Sequence, residues 1–517
     1  MAITFYQKPI SDSATVPVLV NYTPVVPYTI TRTSGIGSLF YYKIVLEIYT
    51  GSTGVADNKI AELKQTRNPY PNDLILDFAR AIFDVGEIIK TELDTTRLDL
   101  NDTVQPINPI WKISLANVNV LFSSNNSQVR TITVRASESY STSATAIPTK
   151  DITGAITDSK IYINGSEDLA FPRSAIAFNY QPSGVNAVMY ENQLSGDTKR
   201  FLSEMPLDTV KADFKSYNYN NVGGLKYIHY VTDLDWQCLG FMNGADQFGS
   251  NARGFVVEYY NGESAGNFYF FRNDTGNGGE DPVAGATLND EDLILYMGVA
   301  PKNLEEQAIS TSARPSNQFS GAWTHYRIFA VSDIVTYPSI ASYTPMSADY
   351  WFVKGCGNTV TVTDAVQRRY RPVRLSWLNK FGCWETYTFF GKSTEVVEIT
   401  KTEYEKMLGN FSDQIYSYSN YERQKATSTV SSKVKLTIGT EYISERLVPY
   451  IESLIKSKEV YKHHSPESSA GAYNLNSPEQ AVIVTQSNFV RKNSANDKMI
   501  QYSISLEYAN NFNTNAQ

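Results

Sequence analysis

The chain has 517 residues, of which 19% are charged, and it carries a formal net charge of -8. This acidic balance disfavours a protein that binds nucleic acid or anionic membranes generally, because both kinds of partner attract excess positive charge. The N-terminus lacks a basic-then-apolar signal region and no run approaches about eighteen apolar residues, so we expect no membrane partner and synthesis in a cytoplasm.

Aromatic residues make up 13% of the chain, with 35 Tyr and 24 Phe. Tyrosine is common in strands and at interfaces because it combines an apolar ring with a polar tip. The three cysteines, Cys238, Cys356 and Cys383, show no C-x-x-C spacing, which predicts free thiols in a reducing compartment. Composition therefore favours a mainly β protein with extensive contact surfaces.

Residues 1–148 read as an N-terminal β-sandwich, because β-branched and aromatic runs alternate with proline and glycine. Residues 59–65 are expected to pair with 39–49. Helical spacing of apolar residues predicts one short helix over 74–89. A segment rich in small and hydroxyl residues, 137–149, marks the boundary of this domain.

Residues 149–345 are expected to form a central β domain with long polar loops. The loop from Asp274 to Asp281 is dense in oxygen ligands and could hold Ca²⁺, but it lacks the ligand spacing of an EF-hand. A solvated turn is the better interpretation of this loop.

Residues 346–432 are expected to be organised around an aromatic hairpin, YRPVRLSWLNKFGCWETYTFF, at 370–390. Gly382 can adopt the positive φ that closes a short hairpin loop. The second arm carries aromatic residues on both faces, so something must cover it on both sides. The hairpin is thus predicted to lie in a sandwich or an assembly interface, with Trp377, Trp384, Tyr387 and Phe389 as core or interface residues.

Residues 433–517 are expected to form a C-terminal β module, reached through a polar connector at 409–432. A helix is predicted over 444–457, where Pro449 makes its start uncertain, followed by strands at 481–484, 489–492 and 499–508. In the last strand, Tyr502 and Tyr508 fall on the apolar face of a regular alternation. The predicted fold is therefore mainly β, with multi-domain β-sandwiches and one or two short helices.

Three short motifs raise the question of catalysis or metal binding. Gly262 to Gly266 fits the G-x-S-x-G elbow of esterases around Ser264, but an aromatic strand pattern follows, so the glycines more plausibly turn a hairpin. Gly391-Lys392-Ser393 lacks the upstream glycine of a P-loop, and His463-His464 has no third metal ligand at informative spacing. We expect no catalytic residues, no cofactor and no metal site.

The central hairpin resembles the "YRL-x-F-LN-x-FG-x-WD-x-F-x-F" hairpin of structural proteins from tailed phages that infect Bacteroidetes, the crAss-like group among them. Other segments are similar to further parts of those proteins: residues 42–49, 61–64 and 76–80, FLSEMP at 201–206, LIKSKEVY at 454–461, AVIVT at 481–485 and NDKMIQYSISLEYAN at 496–510.

The resemblance implies a virion structural protein without enzymatic activity, in the tail, neck or head-fibre apparatus. As a tail or neck subunit it would form a symmetric homo-oligomeric ring or collar around the tail axis. Other tail, portal or neck proteins would be its partners. Two alternatives stay open on the residues: a head-fibre or receptor- and carbohydrate-binding module that uses Trp236, Phe241 and Tyr259, and, remotely, an esterase that uses Ser264.

Overall fold

The computed structural model describes residues 3–8, 18–21, 26–32, 35–51, 53–66, 79–93, 122–124, 129–166, 201–205, 229–231, 235–242, 254–261, 264–272, 294–305, 323–331, 347, 350–354, 373–412, 415–443, 445–463, 479–486, 488–492 and 500–510. The chain divides into two compact units. The first unit comprises Met1–Asn358 and Leu378–Glu385, and the second comprises Thr359–Trp377 and Thr386–Gln517.

The described residues in the N-terminal part of the first unit form nine strands: β1 (Thr4–Gln7), β2 (Val18–Asn21), β3 (Pro27–Arg32), β4 (Phe40–Thr50), β5 (Lys59–Thr66), β6 (Ala79–Asp84), β7 (Phe122–Ser124), β8 (Val129–Ser141) and β9 (Thr149–Ser166). A 3-10 turn at Ala56–Asn58 precedes β5, and the short helix α1 spans Gly86–Thr91.

Two of the sheets in this part form a sandwich. One has the order β1-β3-β6 and the other the order β2-β9-β8-β4-β5. Side chains from both sheets contribute to one apolar core, which includes Tyr28 and Ile30 from β3 and Ile44, Leu46 and Ile48 from β4. The predicted pairing of 59–65 with 39–49 is confirmed, because β5 runs antiparallel to β4.

The helix predicted over 74–89 is wrong across most of its described part. Residues Ala79–Asp84 form strand β6, which pairs with β3, and helix α1 begins only at Gly86. Ala81 and Phe83 point into the core while Ile82 is exposed, so this segment follows the period of a strand. The helical spacing mixed apolar residues from two elements of different period. Residues 74–78 lie outside the described part of the chain.

The described residues in the rest of the first unit form seven strands and one short helix: β10 (His229–Val231), β11 (Cys238–Met242), β12 (Gly254–Asn261), β13 (Ser264–Arg272), β14 (Ile294–Gly298), α2 (Pro301–Glu305), β15 (His325–Val331) and β16 (Tyr350–Lys354). Five of these strands form the sheet β10-β16-β15-β12-β13, and β11 and β14 pair with β7 in the sheet β11-β14-β7. The described residues of β12, β14, β15 and β16 are almost all buried.

The second unit contains the remaining elements: β17 (Val373–Leu378), β18 (Trp384–Phe389), β19 (Ser393–Glu405), β20 (Asn410–Ser412), β21 (Ile415–Ser417), β22 (Lys425–Gly439), a 3-10 turn (Glu445–Leu447), α3 (Val448–Lys456), β23 (Val460–Lys462), β24 (Gln480–Val484) and β25 (Ser503–Tyr508). The ends of β17 and β18 that flank the hairpin turn belong to the first unit. Seven of these strands form one sheet with the order β18-β17-β23-β24-β25-β22-β19.

The turn of the central hairpin follows the sequence prediction. Gly382 has a φ of 72°, and its amide donates to the carbonyl of Asn379 at 3.0 Å. The Asn379 side chain fixes the loop, because its Oδ1 accepts hydrogen bonds from the amides of Phe381 and Cys383, each at 2.9 Å. Asparagine is therefore part of the turn mechanism and not merely a polar loop residue.

The C-terminal predictions are confirmed for the helix and the strand at 481–484, and the last strand forms over Ser503–Tyr508. The strand predicted at 489–492 is wrong, because these residues lie outside any strand. Helix α3 lies within the predicted range, and Pro449 occupies its first turn, where proline is tolerated because the amide would lack a helical partner anyway. In the last strand Ile504 and Leu506 are buried while Ser503 and Ser505 are exposed. Strand β24 pairs with β23 and β25.

The fold is mainly β, with several mostly antiparallel sheets, as the sequence predicts. Two of the predicted domain boundaries do not separate strands that belong to different sheets. Strands β8 and β9 form a hairpin across the boundary at 148/149, and β22 runs through the boundary at 432/433. Among the described residues, no helix is both long and apolar enough to cross a lipid bilayer.

Candidate assembly surface

The seven-stranded sheet ends in a long two-stranded ribbon, which we call the arm and define as residues 393–439. Its strands β19 and β22 pair antiparallel from Ser393↔Ile438 to Glu405↔Lys425. Strand β25 pairs only with the last five residues of β22, beginning at Lys435. Within the described part of the chain, the ribbon therefore continues past the neighbouring strand with no third strand beside it.

Strand β19 of the arm is exposed along almost its whole length. Only Ser393 of β19 is half-buried, and every later residue of that strand is exposed. Large apolar side chains are among the exposed ones: Val396, Val397, Ile399, Tyr404, Met407, Ile415, Tyr416, Tyr418 and Tyr421. Single exposed apolar residues are ordinary, but a contiguous group of them on one element is typical of an interaction surface.

One face of the arm continues the core-facing side of the sheet. Ile438 and Leu436 of β22 are buried, and Val434, two residues further along the same face, is half-buried. Val397 lies directly opposite Val434 and is 56% exposed. Ile399, on the same face as Val397, is 60% exposed. The apolar face thus extends from the covered part of the sheet into an uncovered part.

The two strands of the arm carry opposite charges. Strand β19 contains four glutamates and one lysine, whereas β22 contains three lysines and no carboxylate. The exposed pairs Lys435–Glu398 at 2.7 Å and Lys425–Glu405 at 2.9 Å bridge the two strands. Charged side chains on an edge strand restrict which other strands can pair with it, because like charges placed opposite each other repel.

The tip of the arm is ordered by specific hydrogen bonds. Gly409 has a φ of 82° and donates its amide to a carboxylate oxygen of Glu422 at 2.9 Å. The hydroxyl of Tyr416 donates to the carbonyl of Leu408, and the amide of Lys406 donates to the carbonyl of Gln424 at 2.8 Å. The aromatic rings at the tip are consequently presented on a defined backbone.

The sequence-predicted core or interface residues of the hairpin are all buried within this chain. Trp377 packs edge-on against Tyr450 of α3, with ring centroids 5.1 Å apart, and donates its indole N–H to Ser453 at 2.8 Å. Tyr387 contacts both Phe389 and Tyr450. Trp384 is 1% exposed. Their roles in an oligomer interface stay a prediction, but the single chain already covers them.

The two tyrosines predicted at the last strand occupy different environments. Tyr502 is buried and stacks on Phe489, with ring centroids 4.6 Å apart, and its hydroxyl accepts from the amide of Lys492 at 3.0 Å. Tyr508 is half-buried and accepts a hydrogen bond from Lys462 Nζ at 2.6 Å. The structure does not bring these two residues together with the hairpin aromatics in one exposed patch.

The esterase motif has the backbone of a hairpin. Strand β12 ends at Asn261, β13 begins at Ser264, and the two residues face each other in the register. A nucleophile elbow requires a helix after the serine, whereas Ser264 starts a strand. The prediction that the glycines turn a hairpin agrees with this register, although Gly262 and Glu263 themselves lie outside the described residues.

The described residues contain no group of three or more His, Cys, Asp or Glu side chains that could hold a metal ion. His463 is buried and its Nε2 lies 2.6 Å from Ser376 Oγ, so it takes part in the packing of β17. His464 and the loop from Asp274 to Asp281 lie outside the described part of the chain. Cys238 and Cys383 are buried and lie in no disulfide among the described residues. Cys356 lies outside the described part of the chain.

The aromatic residues considered for sugar binding are part of the core. Trp236 and Phe241 are each 0% exposed, and Tyr259 is 6% exposed. A sugar stacks on the open face of an aromatic ring, so these three side chains cannot form such a platform on the folded chain. The prediction that these three residues bind a carbohydrate is therefore wrong, because their side chains are buried in the core.

The arm was not found from the sequence. Residues 409–432 were predicted as a polar connector, but Lys425–Gly439 is a single long strand. The low apolar content hid it, because a ribbon that is open to solvent on both faces lacks the alternation of buried and exposed residues. The signals that could have revealed it are the β-branched runs STEVVEIT and TSTVSSKVKLTI, which have high strand propensity.

Comparisons with known proteins place the chain in no family. No protein-family model matches it, and none of the curated proteins shows significant similarity to it.

Proposed function

We propose that this protein is a structural subunit of a bacteriophage virion, a tail or neck component that assembles into a symmetric homo-oligomeric ring or collar around the tail axis. The observation that carries the assembly role is the arm, which exposes apolar side chains on an ordered two-stranded ribbon. The virion assignment rests on the resemblance of the central hairpin and the other quoted segments.

The arm favours a second copy of the same chain as its partner. An arm from one subunit can lie over the arm of another with the acidic strand β19 facing the basic strand β22. Such a contact places glutamates against lysines and buries Val397 and Ile399, which are exposed in the single chain. Opposite charge steers association and excludes wrong registers, while the apolar residues supply most of the affinity.

A truncated arm tests the assembly role. Residues 399–432 are replaced by Asn-Gly, so that Glu398 and Lys433, which are opposite each other in the register, become the ends of a short hairpin. We expect the full-length protein to form closed oligomers that are visible by light scattering and negative-stain microscopy, and the truncated protein to remain folded but monomeric.

The matched control is Ile147→Ser, which removes an exposed apolar side chain outside the arm. This variant should assemble like the parent protein. Oligomers of unchanged size in the truncated protein would exclude the arm as the assembly element. A full-length protein that stays monomeric over the whole concentration series would contradict self-assembly.

The virion location needs a separate test. Mass spectrometry of purified phage particles should detect the protein at a fixed, ring-like copy number relative to the portal. Its absence from particles that infect normally would refute the virion role even if the purified protein forms rings.

The second candidate function is a head-fibre or receptor-binding module. The exposed tyrosines at the arm tip, Tyr416, Tyr418 and Tyr421, favour it, because an ordered aromatic surface at the end of a projecting element could contact a receptor. A glycan-binding screen with the Tyr418→Ala and Tyr421→Ala variants distinguishes it from self-assembly.

A further inference from the structure

A chain of buried polar groups runs through the first unit, from the tip of the central hairpin to strand β10. The Glu385 carboxylate accepts hydrogen bonds from the Asn379 side chain at 2.8 Å, the Glu204 amide at 2.7 Å and the Ser203 hydroxyl at 3.0 Å. Ser203 Oγ lies 2.6 Å from the Tyr350 hydroxyl, which in turn lies 2.9 Å from His229 Nε2.

The charge of Glu385 is unfavourable in its buried position. It is fully buried, and burial raises its pKa to about 7, against the opposing effect of the hydrogen bonds from Asn379, the Glu204 amide and Ser203. The carboxylate of Glu204 raises the pKa further. Lys380 lies 3.9 Å from that second carboxylate. Among the described residues, Tyr350 on β16 and Cys238 on β11 also interact electrostatically with Glu385.

The donors and acceptors in this series of buried polar groups can exchange roles. When Glu385 is ionised, Ser203 donates to it, Tyr350 donates to Ser203, and a protonated His229 Nε2 donates to Tyr350. When Glu385 is protonated, its O–H can donate to Ser203, which then donates to Tyr350, which donates to an unprotonated His229 Nε2. Ser203 also accepts from the Met205 amide at 3.1 Å, and both arrangements leave its hydroxyl with one donated and two accepted bonds.

We propose that Glu385, Ser203, Tyr350 and His229 form a proton-switched relay, in which protonation of Glu385 reverses the hydrogen bonds and sets the tautomer of His229. The same switch controls how tightly the segment 201–205 is held against the hairpin tip. The segment and the tip are more than a hundred residues apart in sequence, and Glu385 accepts bonds from both.

The direction of the pH effect follows from the raised pKa. A carboxyl whose pKa is higher in the folded state than in the unfolded chain binds an extra proton on folding between the two values. This contribution to folding is complete below the ordinary glutamate pKa, declines as the pH rises towards about 7, and changes no further once the pH has passed that value.

The first experiment measures Tm between about pH 5.5 and about pH 8.5 in the parent protein, Glu385→Gln and the exposed control Glu87→Gln. Glutamine keeps the acceptor oxygen and supplies a donor to Ser203, so it imitates the protonated acid. We expect the Tm of the parent and of Glu87→Gln to fall by several degrees between about pH 5.5 and about pH 7 and to level off above that, and the fall to be much smaller in Glu385→Gln. An equal fall in all three proteins overturns the proposal.

The second experiment needs no substitution at Glu385 and therefore does not depend on the variant folding. The chain has four histidines, so ¹⁵N-histidine NMR of the parent protein can follow His229, assigned by its loss in His229→Gln. The Nε2 resonance should change from the unprotonated to the protonated form as the pH rises through neutral. A tautomer that stays the same while Glu385 titrates would overturn the relay, even if stability depends on pH.

Discussion

The strands at the two ends of the seven-stranded sheet differ in how far they are buried. At one end, every residue of β17 and β18 is buried. At the other end, β19 is exposed from Thr394 to Glu405, although it too is rich in β-branched residues. At both ends of the sheet, residues of high β propensity therefore form strands. Whether these strands are buried depends on what packs over them.

Helix α3 supplies much of the cover at the buried end. Tyr450 contacts Trp377 and Tyr387, and its hydroxyl donates to the carbonyl of Thr386 at 3.2 Å. The polar residues of β17 also have partners, because Arg374 donates to Thr388 at 2.6 Å and Ser376 lies 2.8 Å from Thr386. This end contributes to stability, and we assign the contacts with other chains to the open end.

The substitution Trp377→Ala should show the largest effect on stability. It removes a fully buried ring from its contact with Tyr450 and leaves Ser453 without its indole donor. Truncating a buried Trp generally costs about 3 to 5 kcal/mol of the free energy of unfolding. Urea denaturation measures the loss, with Tyr421→Ala as the control, since that aromatic side chain is 87% exposed on the arm. Equal losses for the two variants would show that the buried end of the sheet contributes no more to the free energy of unfolding than the exposed arm.

The same contrast applies to charged groups. Glu47 on β4 is buried and binds Arg135 at 2.7 Å, Lys59 at 2.8 Å, and Lys150. Although burial alone would raise its pKa, hydrogen bonds from Lys150, Lys59 and Arg135 hold the pKa of Glu47 at about 2. On the arm, Glu398 has a single exposed partner, Lys435, and pairs of that kind contribute little.

The substitution Glu47→Gln should therefore cost about 1 to 3 kcal/mol at neutral pH, as expected for hydrogen bonds to charged groups. The lowered pKa means that the ionised carboxylate favours folding above the ordinary glutamate pKa and loses this contribution as the pH falls towards about 2. The difference between parent and variant should consequently shrink between neutral pH and about pH 3. Glu398→Gln, measured alongside, should differ little from the parent at either pH. A constant difference for Glu47→Gln across this range would contradict the assigned pKa.

The buried end of the sheet was largely predictable from the sequence. The alternation in 370–390, the glycine at 382 and the aromatic residues on both faces indicated a covered hairpin, and the structure shows one. The last strand was predictable for the same reason, because Ile504 and Leu506 alternate with serines. Hydrophobic periodicity reports burial, so it succeeds where a strand has one buried and one exposed face or is covered on both.

The open end was not predictable by that criterion. In the arm, Glu395-Val396-Val397-Glu398-Ile399 mixes charged and apolar residues, and the pairing of β19 with β22 joins residues up to 45 positions apart. The buried relay was hidden for another reason. Ser203, His229, Tyr350 and Glu385 are widely separated in sequence and come together only through sheet packing, which no local pattern records.

The smallest expected effect on stability gives the sharpest test of the two ends, because one substitution can be made at both. Val373 on β17 is 6% exposed and Val397 on β19 is 56% exposed, and both lie in the same sheet. Threonine preserves the β-branched shape and replaces a methyl by a hydroxyl, so strand propensity changes little. At the buried position the unpaired hydroxyl should cost about 1 to 3 kcal/mol.

At Val397 the same change should alter the free energy of unfolding by less than about 0.5 kcal/mol, because the hydroxyl meets water. If the arm binds a second copy, Val397→Thr should instead weaken assembly, so that oligomers dissociate at a higher protein concentration than in the parent. Val373→Thr should leave the size of the oligomer unchanged in the fraction that folds. Denaturation and light scattering on the same samples separate these effects. If Val397→Thr lowered stability but left assembly unchanged, the open end of the sheet would contribute to folding and not to assembly.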